Sequence, residues 1–192
     1  MSEPVRRSAA APDREPGRSA GSAGAASEDR RAEMTARIVQ LSRSQGGVPK
    51  HAVMEAHVGE LGLDGDRQAH PKIHGGPERA LCLFSLEVIE ALRAEGHPIA
   101  PGSTGENVTI AGLAWSELAA GMQLQLGDEV IVELTRPADP CKTIRDSFVG
   151  RKFTRLAREG QMRWYARVVR GGLLRVEQPV SLHRRAVSSV GA

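Results

Sequence analysis

The chain has 192 residues and only two cysteines, so it suits one domain with short appendages and offers no disulfide framework. No run approaches the roughly 18 apolar residues of a membrane span, and the N-terminus lacks the apolar core of a secretory signal, so we expect a cytoplasmic protein with no membrane partner. The net charge of +3, the scattered arginines and the 3% of aromatic residues leave little to stack bases on and argue against a nucleic-acid partner.

The first 33 residues consist almost entirely of small, polar and charged residue types. Such a composition cannot offset the entropy of ordering by burying apolar surface, which predicts a disordered tail. We therefore divide the chain into an N-terminal tail at 1–33, one folded domain at 34–184 and a C-terminal tail at 185–192.

Short strand-like stretches recur between turn signals through the folded domain, at 37–41, 52–57, 79–84, 107–110, 122–126, 129–134, 164–169, 173–176 and 180–182. This spacing predicts a mainly β fold of barrel or sandwich type. Gly127-Asp128 separates two of these strands as a hairpin turn would, and Gly171-Gly172 predicts a second hairpin by the same logic.

Two helices are predicted among the strands. Ser85 is a suitable N-cap for a helix that ends near Glu95, and Gly96 follows as a stop signal. The second helix is predicted over 148–159, with apolar residues on one side and Gly160 as its terminator. We expect both helices to cover openings of the barrel.

Cys141 follows an apolar run at a proline-punctuated turn, where a thiol is displayed rather than packed. The basic neighbours Arg136 and Lys142 favour the thiolate, which is the form that acts as a nucleophile and as a soft-metal ligand. The alternative is an inert free cysteine beside a turn. Cys82 lies inside an apolar stretch, and we place it in the core.

Glycine-containing turns present further polar side chains. Lys50, after Gly46-Gly47-Val48-Pro49, is either aimed at an anion or simply solvated. The segment 62–67 is interpreted as a structural turn. His74 and Arg79 flank a glycine pair; the imidazole is a proton donor, an anion contact or an ordinary hydrogen-bonding residue, and Arg79 is a ligand contact or an ion-pair partner.

Three more candidates lie near strand entries. Glu106 and Asn107 combine carboxylate acceptors with an amide donor, which suits either a nitrogen-rich heterocycle or the bracing of a loop. Arg163 directly precedes a predicted strand and offers a fork of donors for a phosphate or a pterin. The neighbouring aromatic residues Trp164 and Tyr165 are interpreted as packing residues.

The order Gly-Gly-Val-Pro-Lys, Gly-Leu-x-Gly-Asp, His-Gly-Gly-Pro-x-Arg-Ala, Gly-x-x-Gly-Glu-Asn, Gly-Asp and Pro-Cys resembles the MOSC domain family over about 37–182. Within that family, the chain is most similar to the bacterial proteins that confer resistance to 6-N-hydroxylaminopurine. The resemblance implies a MOSC-like β-barrel with a molybdenum cofactor (molybdopterin) in a cleft. It implies that Cys141 supplies a thiolate to molybdenum, which suits a soft ligand, and that the residues around the pterin, its phosphate or the substrate include Lys50, His74, Arg79, Glu106, Asn107 and Arg163.

The function implied by the resemblance is the reduction of N-hydroxylated bases or related N-oxygenated compounds, with Cys141 on the metal and His74 supplying a proton. Because the sequence has no flavin, haem or iron-sulfur signature, electrons are expected from a separate reductase. Pyridoxal phosphate binding is not predicted. Two alternatives stay open: a carrier of sulfur or of the molybdenum cofactor that uses Cys141 as a persulfide or thiolate site, and a domain that only binds a ligand or partner.

Overall fold

The computed structural model describes residues 36–68 and 75–183. Within these ranges the strands are β1 (Arg37–Arg43), β2 (His51–Val53), β3 (Glu55–Gly59), β4 (Gly62–Leu63), β5 (Leu81–Ser85), β6 (Val108–Ala111), β7 (Gln123–Leu126), β8 (Val130–Ala138), β9 (Arg163–Arg170), β10 (Gly172–Arg175) and β11 (Val180–Leu182). One α-helix, α1 (Leu86–Ala94), lies among them. The mainly β prediction is confirmed. The predicted tails at 1–33 and 185–192, and His74, lie outside the described residues and stay predictions.

Eight strands form one sheet in the order β11-β7-β8-β9-β5-β6-β1-β2, and the order β10-β3-β4 makes a second, three-stranded sheet. The β5–β6 pair is parallel, and the other ladders are antiparallel. Among the described residues no ladder joins the end strands β2 and β11, and an isolated bridge between Arg37 and Pro179 connects β1 to the segment before β11. The predicted closure into a barrel is therefore not confirmed.

One of the two predicted hairpins is present. The turn at Gly127-Asp128 joins β7 to β8, which pair from Gln123 opposite Glu133 to Leu126 opposite Val130. The hairpin predicted at Gly171-Gly172 is wrong, because β10 pairs with β3 rather than with β9. A Cβ at Gly171 would lie 2.4 Å from the carbonyl oxygen of Val58, so this glycine permits a close backbone approach between the sheets.

Helix α1 begins where the sequence predicts it. Ser85 caps it by accepting a hydrogen bond from the backbone N–H of Val88 at 3.3 Å, which satisfies one of the donors that a helix start leaves free. Ile89 and Leu92 face the core and are fully buried.

None of the helices in the described parts of the chain has the length and the apolar character needed to span a membrane.

The predicted helix over 148–159 is wrong. The chain instead makes three short 3₁₀ segments, Lys142–Ser147, Val149–Arg151 and Phe153–Ala157. Gly150 and Arg151 have φ angles of 61° and 57°, in the left-handed region that an α-helix excludes. We call residues 142–158, from the first 3₁₀ residue to the cap of the last segment, the strap.

The middle of the large sheet carries a small cluster apart from the main core. Cys82 on β5 and Tyr165 on β9 are register partners, and they pack with Ala138 of β8. Leu81 and Leu83, the neighbours of Cys82, belong to the main core. Because successive strand residues point to opposite faces, Cys82 and Tyr165 face away from that part of the core. Their face becomes the floor of the site.

Candidate functional site

A cleft with about 650 Å³ of empty space, part of it open to solvent, lies over this floor. Its walls come from four separate loops, around 47–50, 67–68, 104–107 and 141–144. Of the predicted site residues, those that line it are Lys50, Arg79, Asn107, Cys141 and Arg163. The fold thus gathers side chains that lie more than 100 positions apart in the sequence.

Lys50 enters the cleft wall as half of a buried ion pair. Its Nζ lies 2.5 Å from Oδ2 of Asp66, and the two side chains are 7% and 3% exposed. The same carboxylate accepts hydrogen bonds from the Nδ2 of Asn107 and from the backbone N–H of Ser44, both at 2.9 Å. Asp66 therefore joins three segments of the wall, a role that the turn-based interpretation of 62–67 did not include.

The amide of Asn107 ties the wall to the floor. Its Oδ1 accepts a hydrogen bond from the backbone N–H of Cys82 at 3.1 Å, and its Nδ2 also donates to the carbonyl of Ser42 at 3.2 Å. The backbone N–H of Asn107 in turn donates to the carbonyl of Cys82. These bonds fix the parallel start of β6 beside β5 and set the side chain rigidly at the cleft.

A glycine at 102 lets the loop before β6 touch the Lys50 backbone. The N–H of Lys50 donates to the carbonyl of Gly102 at 2.9 Å. A Cβ at Gly102 would fall 2.5 Å from the Lys50 carbonyl oxygen, and its φ of +83° is one that L side chains rarely adopt. Both constraints require glycine here.

Glu106 braces the loop at 102–106 and is completely buried. Its Oε1 accepts a hydrogen bond from the N–H of Gly102 at 2.5 Å, and its Oε2 accepts from the hydroxyl of Thr104 at 2.7 Å and from its N–H at 3.3 Å. The hydroxyl of Thr109 reaches Oε1 at 3.5 Å. Glu106 is not part of the cleft lining, so of the two roles left open by the sequence this geometry favours bracing the loop.

Arg163 is a buried cation with spare donor capacity. It is 5% exposed, its Nη1 donates to the carbonyl of Thr104, and its Nη2 donates to the carbonyl of Asp139 at 3.4 Å. Its Nε has no hydrogen-bond partner among the described residues. Because Arg163 also lines the cleft, its positive charge suits an anionic ligand there.

Cys141 directly precedes the strap and is half-buried, lining the cleft. Its Sγ lies 2.8 Å from the hydroxyl oxygen of Thr143, which can donate a hydrogen bond to a thiolate. Arg136, a predicted source of positive charge for this thiol, lies with its guanidinium 5.6 Å from the ring centre of Tyr165. The hydrogen-bond partner of the sulfur is the hydroxyl of Thr143.

Cys82 and Tyr165 were assigned to packing by the sequence, and both also line the cleft. Burial raises the pKa of the Cys82 thiol, and the charge of Arg163 partly opposes this. Burial also raises the pKa of Tyr165 to about 12, with a smaller contribution from Cys82. Tyr165 thus keeps its proton at neutral pH. The strand register, which pairs it with Cys82, was the missing information.

The donor set limits the kind of metal site that this cleft can form. Among residues 36–68 and 75–183, no group of three or more His, Cys, Asp or Glu side chains comes together. A metal held only by protein side chains would need such a group. A metal that brings its own ligands and takes one thiolate from Cys141 needs none. Arg79 lines the same cleft, while the role predicted for His74 remains a prediction.

Several known proteins are similar to this chain. It is 30% identical to protein YiiM of Escherichia coli strain K12 over 131 residues, which is 66% of this chain and 58% of YiiM. It is also 30% identical to a protein named reductase from Gibberella moniliformis, covering 65% of this chain and 23% of that protein. The chain therefore spans only part of the length of these relatives.

The crystal structure of YiiM from Geobacillus stearothermophilus has the same fold. The TM-score is 0.64 at 22% identity, and the match covers 80% of this chain and 77% of that one. The sequence profile of the MOSC domain matches residues 70–181, which include β5 to β9, Asn107, Cys141 and Arg163. With the profile covering more than half of its length, the chain belongs to the MOSC domain family.

Proposed function

We propose that this cleft holds a molybdenum cofactor through Cys141 and that the protein reduces N-hydroxylated bases or related N-oxygenated compounds with electrons from a separate reductase. Membership of the MOSC family and similarity to a protein named reductase support an activity related to this cofactor. The observation that carries the proposal is the thiol of Cys141 in a cleft that also contains the buried, partly unsatisfied cation of Arg163.

The residues present fit such a cofactor. A thiolate is a good ligand for a soft, sulfur-bound metal, and Cys141 is accessible from the cleft. The positive charge of Arg163 and of the other cations that line the cleft suits an anionic pterin and its phosphate. When bound, the cofactor would supply two-electron redox chemistry at its metal.

The chain's own residues would bind and orient the reactants. Asn107 and Lys50 are held in place by Asp66, so they form a rigid polar wall that costs little reorganisation. Ile144 and Val48 line the cleft as apolar residues and would pack against the apolar parts of a bound ligand. Tyr165, with a pKa of about 12, remains a hydrogen-bond donor at neutral pH.

The reaction balances with electrons and protons that enter from outside the cleft. A hydroxylamine group, R–NHOH, takes up two electrons and two protons, its N–O bond breaks, and R–NH₂ and water leave. The electrons come from the separate reductase, since the cofactor proposed for the chain must be reduced again after each turnover. His74 remains our candidate to supply one of the protons.

The test is the molybdenum and pterin content of the full chain, expressed in a host that makes the cofactor. We expect near-stoichiometric metal in the wild type, loss of metal in Cys141→Ala and retention in Cys82→Ala. The second variant is the matched control, because it removes the other thiol of the same cleft. Metal-loaded protein should then reduce 6-N-hydroxylaminopurine with a chemical electron donor.

Two results would contradict the proposal. Metal absent from the wild type would exclude a resident cofactor in this cleft. Labile sulfur on Cys141 that passes to an acceptor protein, with no turnover of an N-hydroxylated compound, would instead support the carrier function.

A further inference from the structure

The strap carries a concentration of positive charge beside the cleft. The strap contains six basic residues and one acidic residue, Asp146, so its net charge is +5. The basic residues are Lys142, Arg145, Arg151, Lys152, Arg155 and Arg158. The whole chain has a net charge of +3, so the rest of the chain carries −2. Counting the flanking Asp139 and Glu159 still leaves +3 on this short segment. The charge is therefore localised at one place in the fold.

Most of this charge is exposed and only partly neutralised. Arg145 and Arg151 share one carboxylate, that of Asp146, at 3.8 and 3.6 Å. Lys142 and Lys152 are exposed and make no ion pair with any described residue. Such cations create a positive potential that attracts a negatively charged partner over a distance of about 10 Å at moderate salt.

The strap is held in one shape by contacts at three points. The hydroxyl of Ser147 donates to the carbonyl of Ser103 at 2.8 Å, and the N–H of Val149 donates to Nδ1 of His97 at 3.2 Å. Arg155 makes a two-pronged ion pair with Glu95, in which Nε lies 2.8 Å from Oε2. A surface fixed in advance loses less conformational entropy when a partner binds.

An apolar residue stands in the middle of these charges. Val149 is 57% exposed, and in sequence it lies between the cations Arg145 and Arg151. Protein interfaces commonly combine an apolar centre with a polar rim. A small anionic substrate would need the cations but would gain nothing from an exposed valine.

The strap also begins directly after the proposed metal ligand, Cys141. Lys142 follows Cys141 directly, the N–H of Ile144 donates to the Cys141 carbonyl at 3.1 Å, and Thr143 and Ile144 line the cleft. A protein that binds the strap is therefore placed next to the thiol. We propose that the strap is the docking surface for an acidic electron-carrier protein, an inference that rests on the proposed function because that function requires an external electron donor.

The test measures binding of a reduced flavodoxin, an acidic FMN-containing carrier, to the full chain at low and high salt. The strap variant neutralises exposed cations as Arg151→Gln, Lys152→Gln and Arg158→Gln. The matched control removes the same charge from strands, as Arg37→Gln, Arg170→Gln and Arg175→Gln. We expect the strap variant to associate about ten-fold more slowly at low salt and the control to stay within about two-fold of wild type. The difference should disappear near 1 M salt, where the screening length is about 3 Å.

Turnover separates this inference from the proposed function. In metal-loaded protein, reduction of 6-N-hydroxylaminopurine driven by flavodoxin should fall in the strap variant, while turnover driven by reduced methyl viologen should not. Three results would overturn the inference that the strap is a docking surface for an electron carrier. They are the absence of flavodoxin binding, equal slowing of association in both triple variants, and tighter binding to anionic vesicles or single-stranded DNA than to flavodoxin. Strap-dependent flavodoxin binding by wild-type protein that takes up no molybdenum in a host that makes the cofactor would instead overturn the proposed function alone.

Discussion

Removing the charge of Asp66 is expected to destabilise the protein by about 3 kcal/mol, because it leaves the Lys50 ammonium buried without its counter-charge. The Asp66 and Lys50 side chains are only 3% and 7% exposed, so water compensates little for the lost partner. Asp66→Asn keeps the shape of the side chain and isolates the effect of charge. Lys50→Met should cost less, about 1–3 kcal/mol, because Asp66 retains donors from Ser44 and Asn107.

The assay is urea unfolding of the two single variants, the double variant and the wild type. We expect the double variant to lose less free energy of unfolding than the sum of the two single losses, by at least about 1 kcal/mol, because the effects of mutations within one network are not additive. The exposed pair Arg175–Glu55, with side chains 55% and 58% exposed, is the control, and its coupling should stay below about 1 kcal/mol. The argument would be refuted if the loss in the double variant equalled the sum of the two single losses within about 0.5 kcal/mol.

Three further changes test other parts of the cleft. Gly102→Ala should cost at least about 1 kcal/mol more than Gly96→Ala, because both glycines have positive φ but only a Cβ at Gly102 would meet a backbone oxygen; equal losses in urea unfolding would contradict this contact. Tyr165 is the single tyrosine of the chain, so the ultraviolet absorbance of its phenolate should titrate near pH 12 in the folded protein and near about 10 after unfolding. Because its folded pKa is the higher one, its contribution to stability is complete below pH about 10 and is lost as the pH rises towards about 12; a folded midpoint near 10 would show that burial has no effect. Thr143→Val should slow the alkylation of Cys141 and Thr143→Ser should not, as measured by peptide mass spectrometry, because only a hydroxyl at this position can hydrogen-bond the sulfur; equal rates would show that this contact does not affect the reactivity of Cys141.

The elements that the sequence predicted well are those whose signals are local. Alternating residues in β7 and the Ser85 cap of α1 are written within a few positions, so the hairpin and the helix could be located. The helix predicted over 148–159 was wrong because the apolar residues of the strap are spaced as in a helix, while Gly150 and Arg151 take left-handed conformations. The hairpin predicted at Gly171-Gly172 was wrong for a similar reason, because a glycine needed for close backbone contact looks the same in a sequence as a glycine needed for a turn.

For the site, single residues could be proposed from their chemistry, but their partners could not. Lys50 was a candidate cation, yet its carboxylate partner lies 16 positions later in a turn that already had a local explanation. Cys82 was expected in the core, and the structure buries it, but it also lines the cleft beside its register partner Tyr165. Register depends on the whole sheet, which no local pattern specifies.

The position of β9 has a consequence for how the chain is made. This strand lies between β8 and β5 in the sheet, although it follows both of them in the chain and leaves the ribosome after them. Until residues 163–170 emerge, the earlier strands form two separate groups, β7-β8 and β5-β6-β1-β2, and the edges that face the gap carry unpaired backbone groups. Unpaired edges of this kind invite aggregation. Newly made chains should therefore depend on chaperones until β9 is inserted, and stopping synthesis before Arg163 would leave two half-sheets rather than a smaller domain.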